Sequence, residues 1–457
     1  MFTHSKKRML LFPILIVSLV FIFSFHVTPV SAASTVYVDS VNGNDSSSGT
    51  YASPKKTINT AVNVVSSGGT LYVKDGSYKG YSNHNIIINK NMRIVGENKK
   101  YTVIDAQNTG NIFLVKTGVS LTLLGLTLKN GSATEGGAIY NDGKLIIENC
   151  IFNSNTASMD GGAIKSGKNG LSISHSIFNS NSAPQGGAVS NYIGTMISSY
   201  NTFTYNKATL DDGAAILNNR GAAKLNHDIF SYNTGIVSGA VSNAKGSMSL
   251  IGCNFVSNFA TSGYAGAIQT YYGPLNIVLS QFTGNHAPQG GAILDDHGTL
   301  SVKNSKFTGN KATMGYGGAV FNYYGTGIFN NCSFSSNTAK SRGGAINNAN
   351  ANLNINYCSF TVNKVLYGNG GALSNSRGKI KVNSSIFKYN KATKGVSIYN
   401  YYGSGSVMRS QIIGSGNQIF NYAGSLNATY NWWGSNSNPS SRVSSGVVVK
   451  PWLKKIP

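Results

Sequence analysis

The sequence predicts an all-β chain folded as a right-handed parallel β-helix, with about 26 residues and three strands per coil. Two motifs predict it, Gly-Gly-Ala-aliphatic and Phe-x-x-Asn, because they recur in phase with steps of 25 to 27 residues. The composition agrees, because 54 of the 457 residues are Gly, and both Gly and the frequent Asn are poor residues for a helix interior. A charged fraction of 11% beside a hydrophobic fraction of 41% argues against disorder.

The Phe-x-x-Asn motif predicts a ladder of Phe side chains stacked in the core. Its ten copies begin at Phe152, Phe178, Phe203, Phe230, Phe255, Phe282, Phe307, Phe334, Phe360 and Phe387. The Asn of each copy is expected to hydrogen-bond along the stack, as stacked amides do. Residues five positions before each Phe, all of them apolar except Ser198, predict a second ladder, and small residues after the Asn predict a third. Successive coils should stack at about 4.8 Å.

The Gly-Gly-Ala-aliphatic motif predicts a tight bend just before a strand. Complete copies begin at Gly136, Gly161, Gly186, Gly290, Gly317, Gly343 and Gly370, and degenerate copies begin at Gly213, Gly239, Gly266 and Gly395. We expect that no Cβ atom fits at this bend, which explains the paired glycines.

Four segments are expected along the chain. They are a signal peptide at 1–33, an N-terminal cap with irregular coils at 34–130, regular repeats at 131–410, and C-terminal coils with a cap at 411–457. The signal peptide has a basic start, a long apolar stretch and small residues before the cleavage point, and an uncleaved membrane anchor is the alternative. No transmembrane segment is expected after cleavage. Within the caps we expect a short helix over 54–62, one strand over 121–128, and a plug formed by Trp432 and Trp433.

The four cysteines, Cys150, Cys253, Cys332 and Cys358, each lie two residues before a repeat Phe, at an inward position. Cys332 and Cys358 fall on neighbouring coils, so a disulfide between them fits the spacing. Buried free thiols are the favoured interpretation.

One row of cationic and aromatic residues is the candidate ligand-binding surface. Five residues after the motif Ala, on five consecutive coils, stand Arg220, Lys245, Tyr272, His297 and Tyr324, here called the basic-aromatic row. The position lies in a turn, so it should face solvent over about 19 Å. Cations suit the acid groups of an extended polymer, and ring faces suit pyranose planes. A row of exposed turn residues without a ligand is the alternative.

Glu135 and Asp160 are the candidate metal site. Both immediately precede Gly-Gly on neighbouring coils, so their carboxylates should stack and repel unless a cation or a proton lies between them. Calcium is the expected ion if one binds, and a solvated turn with no cofactor is the alternative. Asp295 is interpreted as a replacement for the turn Asn of other coils, and no catalytic residue is assigned.

The paired motifs over residues 136–400 resemble the repeats of chlamydial polymorphic outer membrane proteins, which implies a right-handed parallel β-helix of surface adhesins. The opening at residues 36–45, the element at 76–78 and the segment at 431–436 resemble adhesin-like β-helix proteins of methanogenic archaea. The opening is also similar to that of pectin-lyase-like proteins, some of which are enzymes.

Charge and resemblance together predict a secreted or cell-surface adhesin-like protein that binds glycan or anionic cell-wall polymer without enzymatic activity. The net charge of +23 favours an anionic polysaccharide or wall polymer, on this or a host or neighbouring cell surface, and no nucleic acid partner is expected. A polysaccharide lyase or glycoside hydrolase of the pectin-lyase-like fold is one alternative, and a structural envelope spacer is another. Only 14 acidic residues and nearly uniform coils favour the non-enzymatic interpretation.

Overall fold

The computed structural model describes residues 34–457, and the predicted signal peptide at 1–33 lies outside them. The chain winds into successive coils whose strands pair in parallel with the equivalent strands of the next coil, for example Phe178 with Phe203 and Phe203 with Phe230. Three sheets of 29, 14 and 10 strands run along the coil axis. The predicted right-handed parallel β-helix is therefore confirmed. No helix among residues 34–457 is long and apolar enough to cross a membrane.

The largest sheet contains two columns of strands that meet at a corner. The first column, which includes the strand after each Gly-Gly-Ala motif, comprises Ile86–Ile88, Phe113–Val115, Ile139–Asn141, Ile164–Ser166, Val189–Tyr192, Ile216–Asn219, Val241–Ala244, Ile268–Tyr271, Ile293–Asp296, Val320–Tyr323, Ile346–Ala349 and Leu373–Ser376. The second column comprises Thr35–Val38, Gly69–Val73, Met92–Gly96, Ser120–Leu124, Lys144–Glu148, Leu171–Ser174, Thr195–Ser199, Ala222–Asn226, Ser247–Ile251, Pro274–Val278, Thr299–Lys303, Thr326–Asn330, Asn352–Asn356, Lys379–Asn383 and Val447–Val448. The two columns merge in the long strands Ile398–Met408 and Ile419–Asn427.

The other two sheets close each coil. The 14-stranded sheet comprises Gly76–Tyr78, Thr102–Asp105, Thr127–Lys129, Ile151–Asn153, Ile177–Asn179, Thr202–Thr204, Ile229–Ser231, Asn254–Val256, Gln281–Thr283, Lys306–Thr308, Ser333–Ser335, Ser359–Thr361, Ile386–Lys388 and Gln411–Ile413. The 10-stranded sheet comprises Ser132–Glu135, Thr156–Asp160, Ser182–Ala183, Lys207–Ala208, Thr234–Gly235, Phe259–Ala260, His286–Ala287, Lys311–Ala312, Thr338–Ala339 and Lys364–Val365.

The predicted Phe ladder fills the core. Consecutive rings from Phe152 to Phe387 stack with centroids 4.7 to 4.9 Å apart and planes within 11° of parallel, and all ten are fully buried. The spacing equals that between strands of a sheet, so stacking follows directly from the repeat. Buried Ile, Val and Leu of the second column and buried Ala of the 10-stranded sheet form the other ladders.

The Asn of each Phe-x-x-Asn motif is buried and hydrogen-bonded along the stack, as predicted. Asn258 is typical: its Nδ2 donates to Phe230 O at 2.9 Å and to Asn285 Oδ1 at 3.0 Å. Its Oδ1 accepts the backbone N–H and the side-chain Nδ2 of Asn233. This inner Asn ladder therefore satisfies backbone groups that a turn would otherwise leave unpaired.

The paired glycines are required on two separate grounds. The first glycine has a left-handed backbone, with φ of +59° at Gly136. A Cβ atom on the second glycine would collide with a backbone carbonyl of the next coil. At Gly137, such a Cβ would lie 2.2 Å from Gly162 O. The predicted lack of room for a Cβ is confirmed.

The N-terminal cap differs from the prediction in two places. The helix spans Ile58–Val64 rather than 54–62, because the Asp45 carboxylate accepts the N–H groups of Lys56 and Thr57 and holds that segment extended. The strand expected over 121–128 is broken into two, because Gly125 turns the chain with φ of +67°. Short 3₁₀ helices lie at Tyr81–Asn83 and Pro439–Arg442.

The C-terminal cap contains the two tryptophans in different environments. Trp433 is fully buried in the core, whereas Trp432 is half-buried and pairs with Gln411 of the last strand in the 14-stranded sheet. One of the two residues thus forms the predicted plug.

All four cysteines are buried free thiols, so the favoured interpretation is confirmed and no disulfide joins Cys332 to Cys358. The backbone N–H of Cys332 donates to Cys358 Sγ at 3.4 Å. On other coils a Ser, Asn or Asp side chain accepts the equivalent N–H, as Ser176 Oγ does from Cys150. Cys358 therefore takes the acceptor role of those side chains, and the thiols of all four cysteines donate to backbone carbonyls, as Cys150 Sγ does to Glu148 O at 3.3 Å.

Candidate functional site

The basic-aromatic row lies at the corner between the two columns of the largest sheet. Each of its five residues has a left-handed backbone, with φ between +52° and +59°, and each is exposed. The N–H of each donates to a carbonyl on the next coil, as Lys245 does to Tyr271 O at 2.8 Å. The repeat therefore holds the row in register, one residue per coil.

The three rings of the row stack on each other. Tyr272 and His297 have centroids 4.7 Å apart, and His297 and Tyr324 have centroids 4.9 Å apart, with planes inclined by 18° and 14°. Stacking covers the ring faces between neighbours and leaves ring edges and polar atoms toward solvent. The middle of the row therefore lacks the open ring faces that were expected to stack on pyranose rings.

The two cations of the row are free of acidic partners. Among residues 34–457, neither Arg220 nor Lys245 has a carboxylate within 4.0 Å, and Lys245 Nζ lies 6.0 Å from the Tyr271 ring centroid. An open depression of about 420 Å³ runs beside Arg220, Lys245 and Tyr272, and a glycine follows each of these residues. Both charges can therefore meet an anionic chain that lies along the corner.

The predicted carboxylate pair is in register, because Glu135 lies opposite Asp160 on the neighbouring coil. Lys165 supplies a cation to both: its Nζ lies 3.5 Å from Glu135 Oε1 and forms an ion pair with Asp160 Oδ2. Asp142 and Tyr140 line the same cleft of about 370 Å³. Among residues 34–457, no group of three or more His, Cys, Asp or Glu side chains is placed to hold a metal ion. Calcium binding here stays a prediction.

Sequence reasoning missed Lys165, although a signal was present. Lys165 lies one residue after the motif Ile, on an outward-facing position that pairs with Tyr140 and Ser190 of the neighbouring coils. That position faces the same side as the residue before Gly-Gly, so a cation there reaches the acidic pair.

Asp295 replaces the turn Asn of other coils, as predicted, because it pairs with Thr270 and Asn322 in register. Its side chain is fully buried, and neither carboxylate oxygen has a hydrogen-bond partner among the described residues. Burial, with a smaller effect of the Asp296 charge, raises the pKa of Asp295 to about 7. The next residues face solvent, where His297 Nδ1 lies 2.6 Å from Asp296 Oδ1.

Two segments of the chain match a family model. Residues 149–167 and 331–349 match the Chlamydia polymorphic membrane protein (PMP) repeat. The chain is a parallel β-helix protein with PMP repeats. Each matched segment contains one Phe-x-x-Asn motif followed by Gly-Gly-Ala-Ile, so the PMP repeat corresponds to part of one coil.

Beyond the PMP repeat, no curated protein matches the chain. Similar solved structures include a GH136 lacto-N-biosidase from Eubacterium ramulus, at 10% identity over 80% of this chain and a TM-score of 0.32. Another is a mannuronic acid specific polysaccharide family 6 lyase from human gut microbiota, at 9% identity over 85% of this chain and 86% of that chain, with a TM-score of 0.29. This chain spans 65% of the length of the lacto-N-biosidase. Neither likeness carries an argument about activity.

Proposed function

We propose that this protein is an exported, surface or cell-wall-associated adhesin-like protein that binds an anionic glycan or wall polymer and does not cleave it. One observation carries the proposal: five exposed cationic and aromatic residues stand in register on consecutive coils, and three of them, Arg220, Lys245 and Tyr272, line an open depression. An extended polymer needs such a linear surface, whereas a compact ligand needs a deep pocket.

The charges at one end of the row favour an acidic ligand. Arg220 and Lys245 are exposed and have no acidic partners among residues 34–457. Binding a carboxylate or phosphate at the surface therefore costs them little desolvation free energy. Their attraction should be screened by salt, because the row is solvent-exposed. The stacked rings of Tyr272, His297 and Tyr324 would then contribute hydroxyl and imidazole hydrogen bonds at their edges.

The surface location is supported by the PMP repeat, whose description is that of a membrane protein of Chlamydia. The resemblance to adhesin-like β-helix proteins of methanogenic archaea, together with the predicted signal peptide, agrees with export. A cell-wall polymer of the producing cell and a glycan on a host or neighbouring cell are the two sources of ligand.

The proposal is tested by co-sedimentation of the chain from Ser34 with its own cell envelope and with a panel of acidic polysaccharides, with and without calcium. We expect retention that weakens as salt rises and polymer whose length is unchanged in the same tube. The combined variant Arg220→Ala, Lys245→Ala, Tyr272→Ala should lose at least about tenfold in affinity, as expected when central contacts are removed.

A matched control removes two lysines and one tyrosine from other exposed positions. The combined variant Lys303→Ala, Lys306→Ala, Tyr357→Ala has the same change in charge and ring number, and it should bind like the wild type. Equal losses of affinity in both variants would mean that net charge alone explains the binding. Shortened polymer would favour the lyase or hydrolase alternative, and absence of both retention and cleavage would favour the envelope spacer.

A further inference from the structure

An aromatic cleft lies around the corner from the basic-aromatic row, on the outer face of the first column. It has a volume of about 350 Å³, at the small end of the range for ligand sites. Leu294 and Phe321 form a buried floor, and Tyr264, Tyr316 and Tyr323 form more exposed walls. The wall tyrosines come from two kinds of segment. Tyr264 and Tyr316 lie in the turns that precede the Gly-Gly-Ala bend, whereas Tyr323 is the last residue of a strand.

The rings of the cleft differ from those of the row in their mutual orientation. Tyr316 is inclined by 58° to Phe321, and Phe321 by 42° to Tyr323. Rings at such angles do not cover each other's faces, whereas the parallel rings of the row do. The cleft therefore presents aromatic faces to a ligand, which suits the flat apolar side of a sugar ring.

Polar groups at the edge of the cleft are hydrogen-bond acceptors. Asp296 lines it, and only its Oδ1 is engaged, by His297 Nδ1 at 2.6 Å, so its Oδ2 has no partner among residues 34–457. Gln289 also lines the cleft, and its side-chain Oε1 accepts no hydrogen bond from residues 34–457. Unpaired acceptors beside apolar faces match a ligand that carries hydroxyl donors.

The charges around the cleft disfavour a cationic ligand. Arg342 brings a cation to the neighbourhood of the cleft, because its backbone forms a parallel bridge with Tyr316 of the preceding coil, and Asp296 Oδ1 is engaged by His297 Nδ1. The Arg342 guanidinium lies 4.9 Å from the Tyr401 ring centroid and donates to Ser376 Oγ. An aromatic cage for a quaternary ammonium group would instead need a net negative surround.

We propose that this cleft binds one pyranose residue of an uncharged glycan, with the sugar ring against Phe321 and the tyrosine walls and its hydroxyls on Asp296. The cleft meets the row through the adjacent pairs Asp296–His297 and Tyr323–Tyr324, whose tyrosine rings have centroids 4.5 Å apart. The inference extends the proposed function by adding a second site of different chemistry, and it does not depend on binding at the row.

The test uses the chain from Ser34 and uncharged oligosaccharides of glucose, galactose and N-acetylglucosamine, with binding followed by saturation-transfer NMR and titration calorimetry. We expect at least one series to bind and the combined variant Tyr264→Ala, Tyr316→Ala to weaken that binding about tenfold or more. Both tyrosines are at least 36% exposed, so their truncation should leave the thermal midpoint unchanged. Tyr316→Phe should retain most of the affinity.

The matched control is Tyr205→Ala, Tyr389→Ala, which removes two exposed rings on other turns and should bind like the wild type. The triple variant of the row should keep its affinity for the uncharged oligosaccharide while losing the anionic polymer. Binding of tetramethylammonium in place of sugars, or no binding by any of the three series, would overturn the proposal. If the Tyr264→Ala, Tyr316→Ala variant lost binding of the anionic polymer but kept binding of the uncharged oligosaccharide, the cleft would be part of the polymer-binding site of the row.

Discussion

Asp295 lies directly before Asn322 in the ladder of amides at the corner of the largest sheet, and no hydrogen bond joins the two side chains. Both oxygens of Asp295 and Oδ1 of Asn322 lack a hydrogen-bond partner among the described residues. Elsewhere in this ladder an amide supplies the hydrogen, as Asn218 Nδ2 does to Asn243 Oδ1 at 2.8 Å. Only a protonated Asp295 can supply that hydrogen, so the fold favours the neutral acid.

The stability of the protein should therefore fall as the pH rises toward 7. Burial raises the pKa of Asp295, Asp212 and Asp228 to about 7, so the native state holds these protons more tightly than the unfolded chain. Their contribution to the free energy of unfolding is fully present below the unfolded value of 3.8 and is lost as the pH rises through 7. Thermal midpoints measured by circular dichroism should be higher at pH 5 than at pH 8. Equal midpoints would contradict the raised pKa values.

Asp295→Asn should stabilise the protein at pH 8, because the new amide can donate to Asn322 Oδ1. We expect a gain of about 1–3 kcal/mol, the usual cost of an unsatisfied buried group. The gain should be smaller at pH 5, where the acid itself is protonated. Glu148→Gln removes one exposed carboxylate and is the control, with no expected gain at either pH. A destabilised Asp295→Asn variant would mean that the charged form has a role in the native state.

The inner Asn ladder should contribute more to stability than its position near a turn suggests. Asn258→Ala removes a side chain that makes four hydrogen bonds and leaves Phe230 O and the Asn233 N–H unpaired in a buried place. We expect a loss of about 2–4 kcal/mol, from several unsatisfied groups at about 1–3 kcal/mol each. Asn254→Ala changes a partly exposed Asn of the same coil and should cost less than about 0.5 kcal/mol. The free energy of unfolding of both variants can be measured in urea. Similar losses in the two variants would contradict a special contribution from the ladder.

The inward half of this structure could be predicted from sequence because the period places equivalent residues on top of each other. Phe152 and Phe178 must stack once the coil length is known, and the Cβ of a residue replacing Gly137 must meet the next coil. The prediction failed where one residue breaks the period. Gly125 divides a strand that hydrophobicity alone would continue, and Asp45 delays the start of the helix to Ile58.

The outward half could be predicted only in part. The corner position of Lys245 and Tyr272 follows from the repeat, but the stacking of Tyr272 on His297 depends on side-chain rotation, which periodicity does not encode. Tyr264 and Tyr316 both stand three residues before the motif Ala, two coils apart, but the coil between them carries Gln289 at that position. The aromatic cleft was missed because no unbroken ladder of similar residues marks its walls.

The four cysteines should be countable as free thiols without any reductant. After unfolding in denaturant we expect four reactive thiols per chain, and in the native protein very slow labelling by a maleimide. Burial raises the pKa of Cys150 and Cys253 to about 12, so little thiolate forms at pH 8. Ser336→Cys, at an exposed turn, should label at once and serves as the control. A count of two that returns to four with reductant would establish a disulfide between Cys332 and Cys358.

Lys165→Met should turn the acidic pair into a calcium-dependent site. Without the ammonium group, the carboxylates of Glu135 and Asp160 face each other across neighbouring coils with no cation between them. Their repulsion should lower the stability by about 1 kcal/mol, more at low salt than at high salt. Millimolar calcium should then raise the thermal midpoint of the variant, because calcium prefers carboxylate oxygens as ligands.

The wild type and Lys144→Met, which removes an exposed lysine one coil earlier, should respond little to calcium in the same thermal unfolding measurement. The triple variant Lys165→Met, Glu135→Gln, Asp160→Asn should regain its midpoint without calcium, since no charge is left to compensate. An equal calcium response in the wild type and in Lys165→Met would mean that the ion and the lysine occupy the cleft together. That result would restore calcium as a ligand of Glu135 and Asp160 in the native protein.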